Sequence, residues 1–439
     1  MQGSPDLFGM EMSTTGIRVP DPSMTPASFP NKMLPLGGAS AGTTPKDDIG
    51  GIARPPLSPH KTRLRLAYVI DCIHDWNLGG TEKQLASMVK ALDPQVFDPM
   101  IFILQTPDGD RVKELGCPIV FVNRDYKGQS RYRSFTNLRA ALRRFQPQIV
   151  QTFFIDGTFY GAAAAWLNDV PVIVQSRRNA GHWQKPYHTL ALRLTNRAVH
   201  SWQCNSRFVA EMIQRTEHLP KDCIEVLYNS IDTDYFAPVT SNGRLDARRS
   251  LGLPLDAPVF VAVSTLRHVK GLSTIVNAAS KVRLQMPHVQ FIIVGDGPQR
   301  SELTEQIARE NLDKTVHLAG AQKDVRPWLA AADLGLLASH SESSSNALME
   351  YMSMGLPSIV SNIPANRELV QEVYFASGNE IELAERLLWL WGQDELRQRM
   401  AKDYRQTAAQ FGCVAFSECL RNYYLGLAAK YIPGATYGG

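Results

Sequence analysis

No stretch of this 439-residue chain stays apolar for the roughly 20 residues that a membrane-spanning helix needs. A helical membrane protein is therefore not expected. The N-terminus has no charged segment followed by an apolar one, so no secretory leader is expected either. Cysteine is scarce. Six are present (Cys72, Cys117, Cys204, Cys223, Cys413, Cys419), scattered, with no C-x-x-C pair. That spacing excludes a disulfide framework and a cysteine metal site, and points to reduced thiols in a cytoplasmic protein. Net charge is also low, at +4. No known nucleic-acid-binding module is interleaved with the basic residues, so no nucleic-acid partner is expected.

What is present is a 44% apolar chain, long enough for two ordinary domains. Residues 1–60 stand apart, with ten prolines, eight glycines and no sustained apolar period. Such a segment cannot bury enough surface to offset its ordering entropy, and a disordered tail is expected. From Leu64 the pattern alternates. "LRLAYVID" reads as a buried strand, "TEKQLASMVKAL" as a helix, and short apolar runs continue as "DPMIFIL", "CPIVFVN", "PQIVQTF", "VPVIVQS", "SWQCNS" and "IEVLYNS". Strand alternating with helix implies a parallel sheet covered on both faces. "TDYFAPVTSNGRLDARRSLGLPLDAP" breaks this rhythm and reads as an inter-domain connection. A second series follows in "PVFVAVST", "VQFIIVGDG", "TVHLAG", "LGLLAS" and "PSIVSN", and helical spacing runs from Glu380 on. The expected architecture is α/β, with two doubly wound, Rossmann-like domains across a cleft. Their expected extents are 61–240 and 241–408, with a last helix in 409–439 crossing back to the first. Ligands of such sheets bind at the carboxyl ends of the strands.

One such end carries "SESSSNALMEYMSMGLPS", residues 341–358. Glu342 lies in the loop after a strand, and Glu350 sits about one turn inside the following helix. Ser345 or Asn346 is the expected N-cap, with Gly355 and Pro357 ending the helix. Backbone N–H groups from Ser345 to Ala347 are placed to hold a phosphate, with a hydroxyl-accepting carboxylate on each side. That suits a nucleotide sugar, with hexose toward Glu342 and ribose toward Glu350. A capping carboxylate and an ordinary solvated helix residue satisfy the same spacing. Asp232 and Asp234 form a D-x-D pair, but one leading into "YFAP", and no metal is expected there.

The 341–358 stretch resembles the E-x7-E signature of retaining glycosyltransferases of family 4, which have the GT-B fold. "NLGGTEKQL", "SRRNAGHW", "CNSRFVAEMI", "VLYNSIDTDYF", "KGLSTIVNAA", "VGDGP", "DVRPWLAAADLGLLAS" and "GLPSIVSNIPANRELV" follow in the order of that family's blocks. The resemblance implies a hexosyltransferase that uses a nucleoside-diphosphate sugar, retains anomeric configuration, and needs no metal or other cofactor. The acceptor it implies is a glycan or lipid-linked molecule of polysaccharide or lipopolysaccharide assembly. Glu342, Lys270 and Arg267 are the implied catalytic residues. Gly79, Gly80, Gly295, Ser345, Asn346, Ala347 and Glu350 are the implied donor site. Arg177, Arg178, Asp156 and His182 are candidates for acceptor or phosphate.

The chain departs from the family at three places. Thr265 stands where an arginine usually partners Lys270, with Arg267 a substitute. Phe153 and Phe154 stand where a histidine is common, and Ser343 and Ser344 where glycine and an apolar residue are usual. A catalytically silent nucleotide-sugar-binding protein and a nucleotide-sugar epimerase remain the rival readings. Finally, sixteen Lys or Arg against five acids lie between Arg111 and Arg215. Arg131, Arg133, Arg139, Arg143 and Arg144 cluster on "RYRSFTNLRAALRRF", which points to peripheral contact with an anionic membrane, at the inner face of the plasma membrane. The apolar stripe Phe135, Leu138, Leu142 and Phe145 serves either core packing or insertion.

Overall fold

A computed structural model describes residues 63–73, 80–105, 115–122, 131–179, 192–193, 195–434 and 437. The expected disordered tail, Gly79 and His182 lie outside them. The first sheet has seven strands: β1 Leu64–Ile70, β2 Phe97–Ile103, β3 Ile119–Phe121, β4 Ile149–Thr152, β5 Val172–Arg177, β6 Ser201–Cys204 and β7 Ile224–Val226. Their spatial order is β3-β2-β1-β4-β5-β6-β7, and neighbours pair in parallel. The second sheet has six: β8 Val259–Val263, β9 Gln290–Val294, β10 Val316–Gly320, β11 Leu334–Leu337, β12 Ser358–Ser361 and β13 Tyr374–Phe375. They run in the order β10-β9-β8-β11-β12-β13, again parallel.

The strands are continuous apolar runs because both faces of each sheet are covered. In β1 every residue but Arg65 is buried. One face of the first sheet packs on helices Gly80–Ala91 and Cys413–Tyr431, the other on Arg131–Phe145, Ala162–Trp166 and Arg207–Glu217. The last helix is thus part of the first sheet's core. Phe416, Leu420 and Tyr424 are buried there, with the Tyr424 hydroxyl 3.0 Å from that of Tyr68 and donating to Gln151 Oε1 at 2.5 Å. Leu138, Leu142 and Phe145 are likewise core residues, so the apolar stripe of the arginine-rich helix faces inward. No helix among the described residues is long and apolar enough to cross a membrane.

The structure differs from the sequence reading in local ways. The connection contains a helix, Ser241–Leu251, which lacked an apolar signal because it is anchored by a charge. Arg248, 4% exposed, pairs with Asp333 at 2.6 Å and donates to the carbonyls of Ala331 and Ala257, both at 2.9 Å. Between β4 and β5 no periodicity announces the π-helical turn Gly157–Gly161, which precedes the short helix Ala162–Trp166. The two-residue β13 is too short for any periodicity to announce it.

Candidate functional site

Strand order reverses between β1 and β4 in one sheet and between β8 and β11 in the other. Loops diverge at such points and leave a crevice. A cleft of about 460 Å³ opens there, walled by residues of both sheets' loops.

The second sheet supplies the wall built around the helix Asn346–Met354. Ser345 is its N-cap, the hydroxyl accepting from Leu348 N at 3.3 Å, and Gly355 ends it in the left-handed region. The first backbone N–H groups, including Asn346 and Ala347, have no acceptor inside the helix and lie at the cleft. Tyr351 fixes the helix against the sheet, its hydroxyl accepting from Val263 N at 2.7 Å. Ahead of the helix, Glu342 is clamped. Lys270 Nζ donates to its Oε1 at 2.5 Å and Ser339 Oγ to the same oxygen at 2.7 Å. The pair is largely enclosed, with side chains 24% and 9% exposed. Lys270 comes from a turn after β8 that presses on the end of β11. Gly271 adopts φ +61° there, and a Cβ on it would lie 2.2 Å from Ala338 O. Gly295, after β9, is equally constrained, at φ +144° with a Cβ position 1.8 Å from Ser264 O. Arg267 and Thr265 are exposed at the rim of the same cleft.

Glu350 is buried one turn inside the helix, and burial pushes its carboxyl up to about 7, against an opposing pull from Lys83. It lines the cleft and also an adjoining cavity of about 940 Å³, bounded by the helices Gly80–Ala91 and Cys413–Tyr431. Asp232 belongs to that second cavity, and its carboxylate accepts from Tyr235 N at 2.9 Å.

The first sheet supplies the facing wall. Gly80 starts the helix Gly80–Ala91, and a Cβ on it would lie 3.2 Å from Asn346 Nδ2. Two helix N-termini therefore meet across the crevice, each carrying partial positive charge. Arg178 reaches the cleft and donates to Asn229 Oδ1, and burial pulls its guanidinium down to about 10. Asn229 Nδ2 in turn donates to Asn346 Oδ1 at 2.6 Å.

Not every expected residue is brought together. Arg177 is the last residue of β5 and Arg178 follows it, and successive residues of an extended chain point to opposite faces. Arg177 is buried in an ion pair with Glu217 at 2.8 Å, side chains 8% and 1% exposed, and is no part of the cleft wall. Asp156 lies at the start of the π turn, its N–H donating to Asp71 Oδ2 at 3.1 Å, and is absent from the described cleft lining. Phe153 is a core residue, 1% exposed, with its ring 6.1 Å from Tyr68. Phe154 takes φ +59° beside it. Among the contributors that the sequence reading missed are Lys83, Asn205, Asn229 and Ser339. Lys83 was within reach of it, three residues after Gly80 on the first helix. The others fall inside the quoted blocks "CNSRFVAEMI", "VLYNSIDTDYF" and "DVRPWLAAADLGLLAS", but nothing local singles out these residues within them.

Two family profiles match the chain. One, described as Glycosyltransferase Family 4, covers residues 78–235, and the other, Glycosyl transferases group 1, covers 257–393. Among curated relatives, the UDP-Gal:alpha-D-GlcNAc-diphosphoundecaprenol alpha-1,3-galactosyltransferase of Escherichia coli is 29% identical over 55% of this chain and 65% of its own. The lipopolysaccharide core biosynthesis glycosyltransferase LpsE of Rhizobium meliloti is 32% identical over 27% of this chain and 34% of its own. The chain thus spans less than two thirds of these relatives' length. The solved structure of Anabaena Alr3699/HepE with UDP-glucose superposes with a TM-score of 0.73 at 19% identity, covering 83% of this chain and 100% of that one. WaaG, a glycosyltransferase involved in lipopolysaccharide biosynthesis, gives 0.65 at 16% identity over 82% and 100%. At these identities the superpositions establish the fold. Two parallel Rossmann-like sheets across a cleft, with a family profile on each, mean that the chain belongs to the family 4, group 1 glycosyltransferases of GT-B fold, related to the enzymes of polysaccharide and lipopolysaccharide biosynthesis.

Proposed function

We propose that the protein transfers a hexose-type sugar from a nucleoside-diphosphate sugar to a glycan or lipid-linked acceptor, with retention and without a metal. The observation that carries this reading is the Lys270–Glu342 pair, 2.5 Å apart, beside the free N–H groups of the Asn346 helix. The diphosphate lies on those N–H groups and on the Gly80 helix start, drawn by Lys270 and Arg267. Glu342 takes sugar hydroxyls and Glu350 the ribose. As the anomeric C–O bond breaks, negative charge grows on the leaving phosphate. Fixed donors aimed at such charge usually supply the largest electrostatic contribution to catalysis. The acceptor hydroxyl attacks from the same face, and its proton passes to the leaving phosphate oxygen. That route asks for no histidine, which suits a chain whose Phe153 is in the core. Gly295, Ser345, Asn346 and Ala347 complete the donor side, and Arg178 is the candidate for acceptor or phosphate.

The acceptor side is proposed to meet an anionic membrane, at the inner face of the plasma membrane. Arg133, Arg139, Arg143 and Arg144 are exposed on the helix Arg131–Phe145. Beside Arg139, which donates to Leu167 O at 3.4 Å, stand Trp166 and Leu167, 62% and 40% exposed. Basic charge next to an exposed tryptophan fits a lipid headgroup layer. The test of the reaction is incubation with a panel of UDP- and GDP-sugars and lipid-linked acceptors, with the anomeric product read by NMR. Inverted product refutes retention. Donor binding without turnover on any acceptor supports the silent-binder reading, which Thr265 at the cleft rim favours.

A further inference from the structure

Ser343 and Ser344 stand between Glu342 and the N-cap Ser345, on the loop that faces the first sheet. Ser343 reaches across the cleft. Its hydroxyl donates to Arg178 O at 2.8 Å and accepts from Asn205 Nδ2 at 3.2 Å. This exchange fixes the Asn205 amide. A carbonyl oxygen only accepts, so the single Ser343 proton goes to Arg178 O, and Asn205 must turn its NH₂ group toward Ser343. Its other end, Oδ1, is then left over. Asn205 is 3% exposed, and Oδ1 has no hydrogen-bond partner. Ser344 Oγ is likewise buried without one. Both residues line the cleft that holds Glu342 and Lys270. A native fold rarely leaves a buried acceptor and a buried hydroxyl unsatisfied in one cavity, since each loses its water without replacement.

We infer that Asn205 Oδ1 and Ser344 Oγ are specificity contacts for the transferred sugar. Asn205 takes an O–H or N–H donor of the sugar and Ser344 pairs with a second polar substituent. The substrate class is therefore a sugar that presents polar substituents, rather than an apolar face, to Asn205 and to the loop carrying Ser344. Ser343 is a positioning residue, acting through the Asn205 amide. This rests on the proposed function, since it needs a nucleotide sugar in this cleft.

The test is calorimetric binding of UDP, GDP, UDP-glucose, UDP-galactose, UDP-N-acetylglucosamine and GDP-mannose to the full chain, followed by Ser344→Ala and Asn205→Ala with the donor that binds. The quantity read is the affinity ratio of the nucleotide sugar to its own nucleoside diphosphate. Each variant should lower that ratio about three- to tenfold, the worth of one neutral hydrogen bond, with the diphosphate alone bound as before. A deoxy analogue of the donor should supply a second readout, because the hydroxyl read by Ser344 loses its value in Ser344→Ala and keeps it in Asn205→Ala. Unchanged ratios in both variants overturn the inference. Equal loss for sugar and free diphosphate also overturns it, by moving both groups to the phosphates or to domain packing. Failure of the unmutated protein to bind any of these nucleotide sugars counts against the proposed function itself, a result distinct from either.

Discussion

Replacing Glu350 by glutamine should make the ligand-free protein more stable and its nucleotide binding weaker. The side chain is 7% exposed, and burial raises its carboxyl from 4.5 in the ordinary case to about 7. A raised folded value means that the folded state holds a proton the unfolded state has released. Stability from this group is therefore full below pH 4.5 and is lost as pH rises to about 7. One pH unit between the two ionisations is worth about 1.4 kcal/mol, so the cost of the buried carboxylate is about 1 kcal/mol at pH 5 and about 3 kcal/mol at pH 8. Glutamine keeps the shape and cannot ionise. The variant's advantage in chemical denaturation without ligand should accordingly grow by about 2 kcal/mol between pH 5 and pH 8. Binding moves the other way. A charge-assisted acceptor for ribose hydroxyls is replaced by a neutral amide, and affinity for the nucleoside diphosphate should fall by the roughly 1.5–3 kcal/mol of such a bond. Denaturation at the two pH values and calorimetry at pH 8 read both effects. A stability difference that ignores pH refutes the burial argument, and an unchanged affinity refutes the ribose assignment.

Other outcomes follow from the same geometry. Glu342→Ala should reduce transfer about a hundredfold or more while the nucleoside diphosphate still binds, because Lys270 stays on its Gly271 turn. Joint loss of binding and transfer would mean that Glu342 acts chiefly by holding Lys270. Gly295→Ala should destabilise the protein by about 3 kcal/mol or more, since φ +144° is strained for alanine and its Cβ would lie 1.8 Å from Ser264 O. A melting temperature equal to that of the unmutated protein would contradict this. The protein should float with anionic vesicles less at high salt than at low, and Arg139→Glu/Arg143→Glu should weaken flotation further. Equal flotation on neutral vesicles would assign the contact to Trp166 and Leu167 alone. Removal of residues 1–60 should shift the melting temperature by only a few degrees, because that composition buries little.

The periodicity of the sequence determined much of this protein. Runs such as "LRLAYVI" and "QFIIV" are apolar throughout because a covered parallel sheet has no wet face, and their alternation with helical spacing leaves few other architectures. The spacing of Glu342 and Glu350 around Ser345 was equally legible, since a cap, a helix and the residues on it are local matters. Other features needed the tertiary structure, because they depend on partners distant in the chain. Lys270 meets Glu342 from 72 positions away. Arg177 and Arg178 are adjacent and look alike in sequence. Yet one is sealed against Glu217 and the other opens on the cleft, since the phase of a strand relative to its sheet is set by packing. The helix Ser241–Leu251 was hidden because its anchor is the charge of Arg248 rather than an apolar stripe. Asn205 stands in "CNSRFVAEMI", but nothing in that run announces what its side chain meets. Its unpartnered oxygen exists only because folding brings Ser343 and the Arg178 carbonyl to its side and consumes the one proton available.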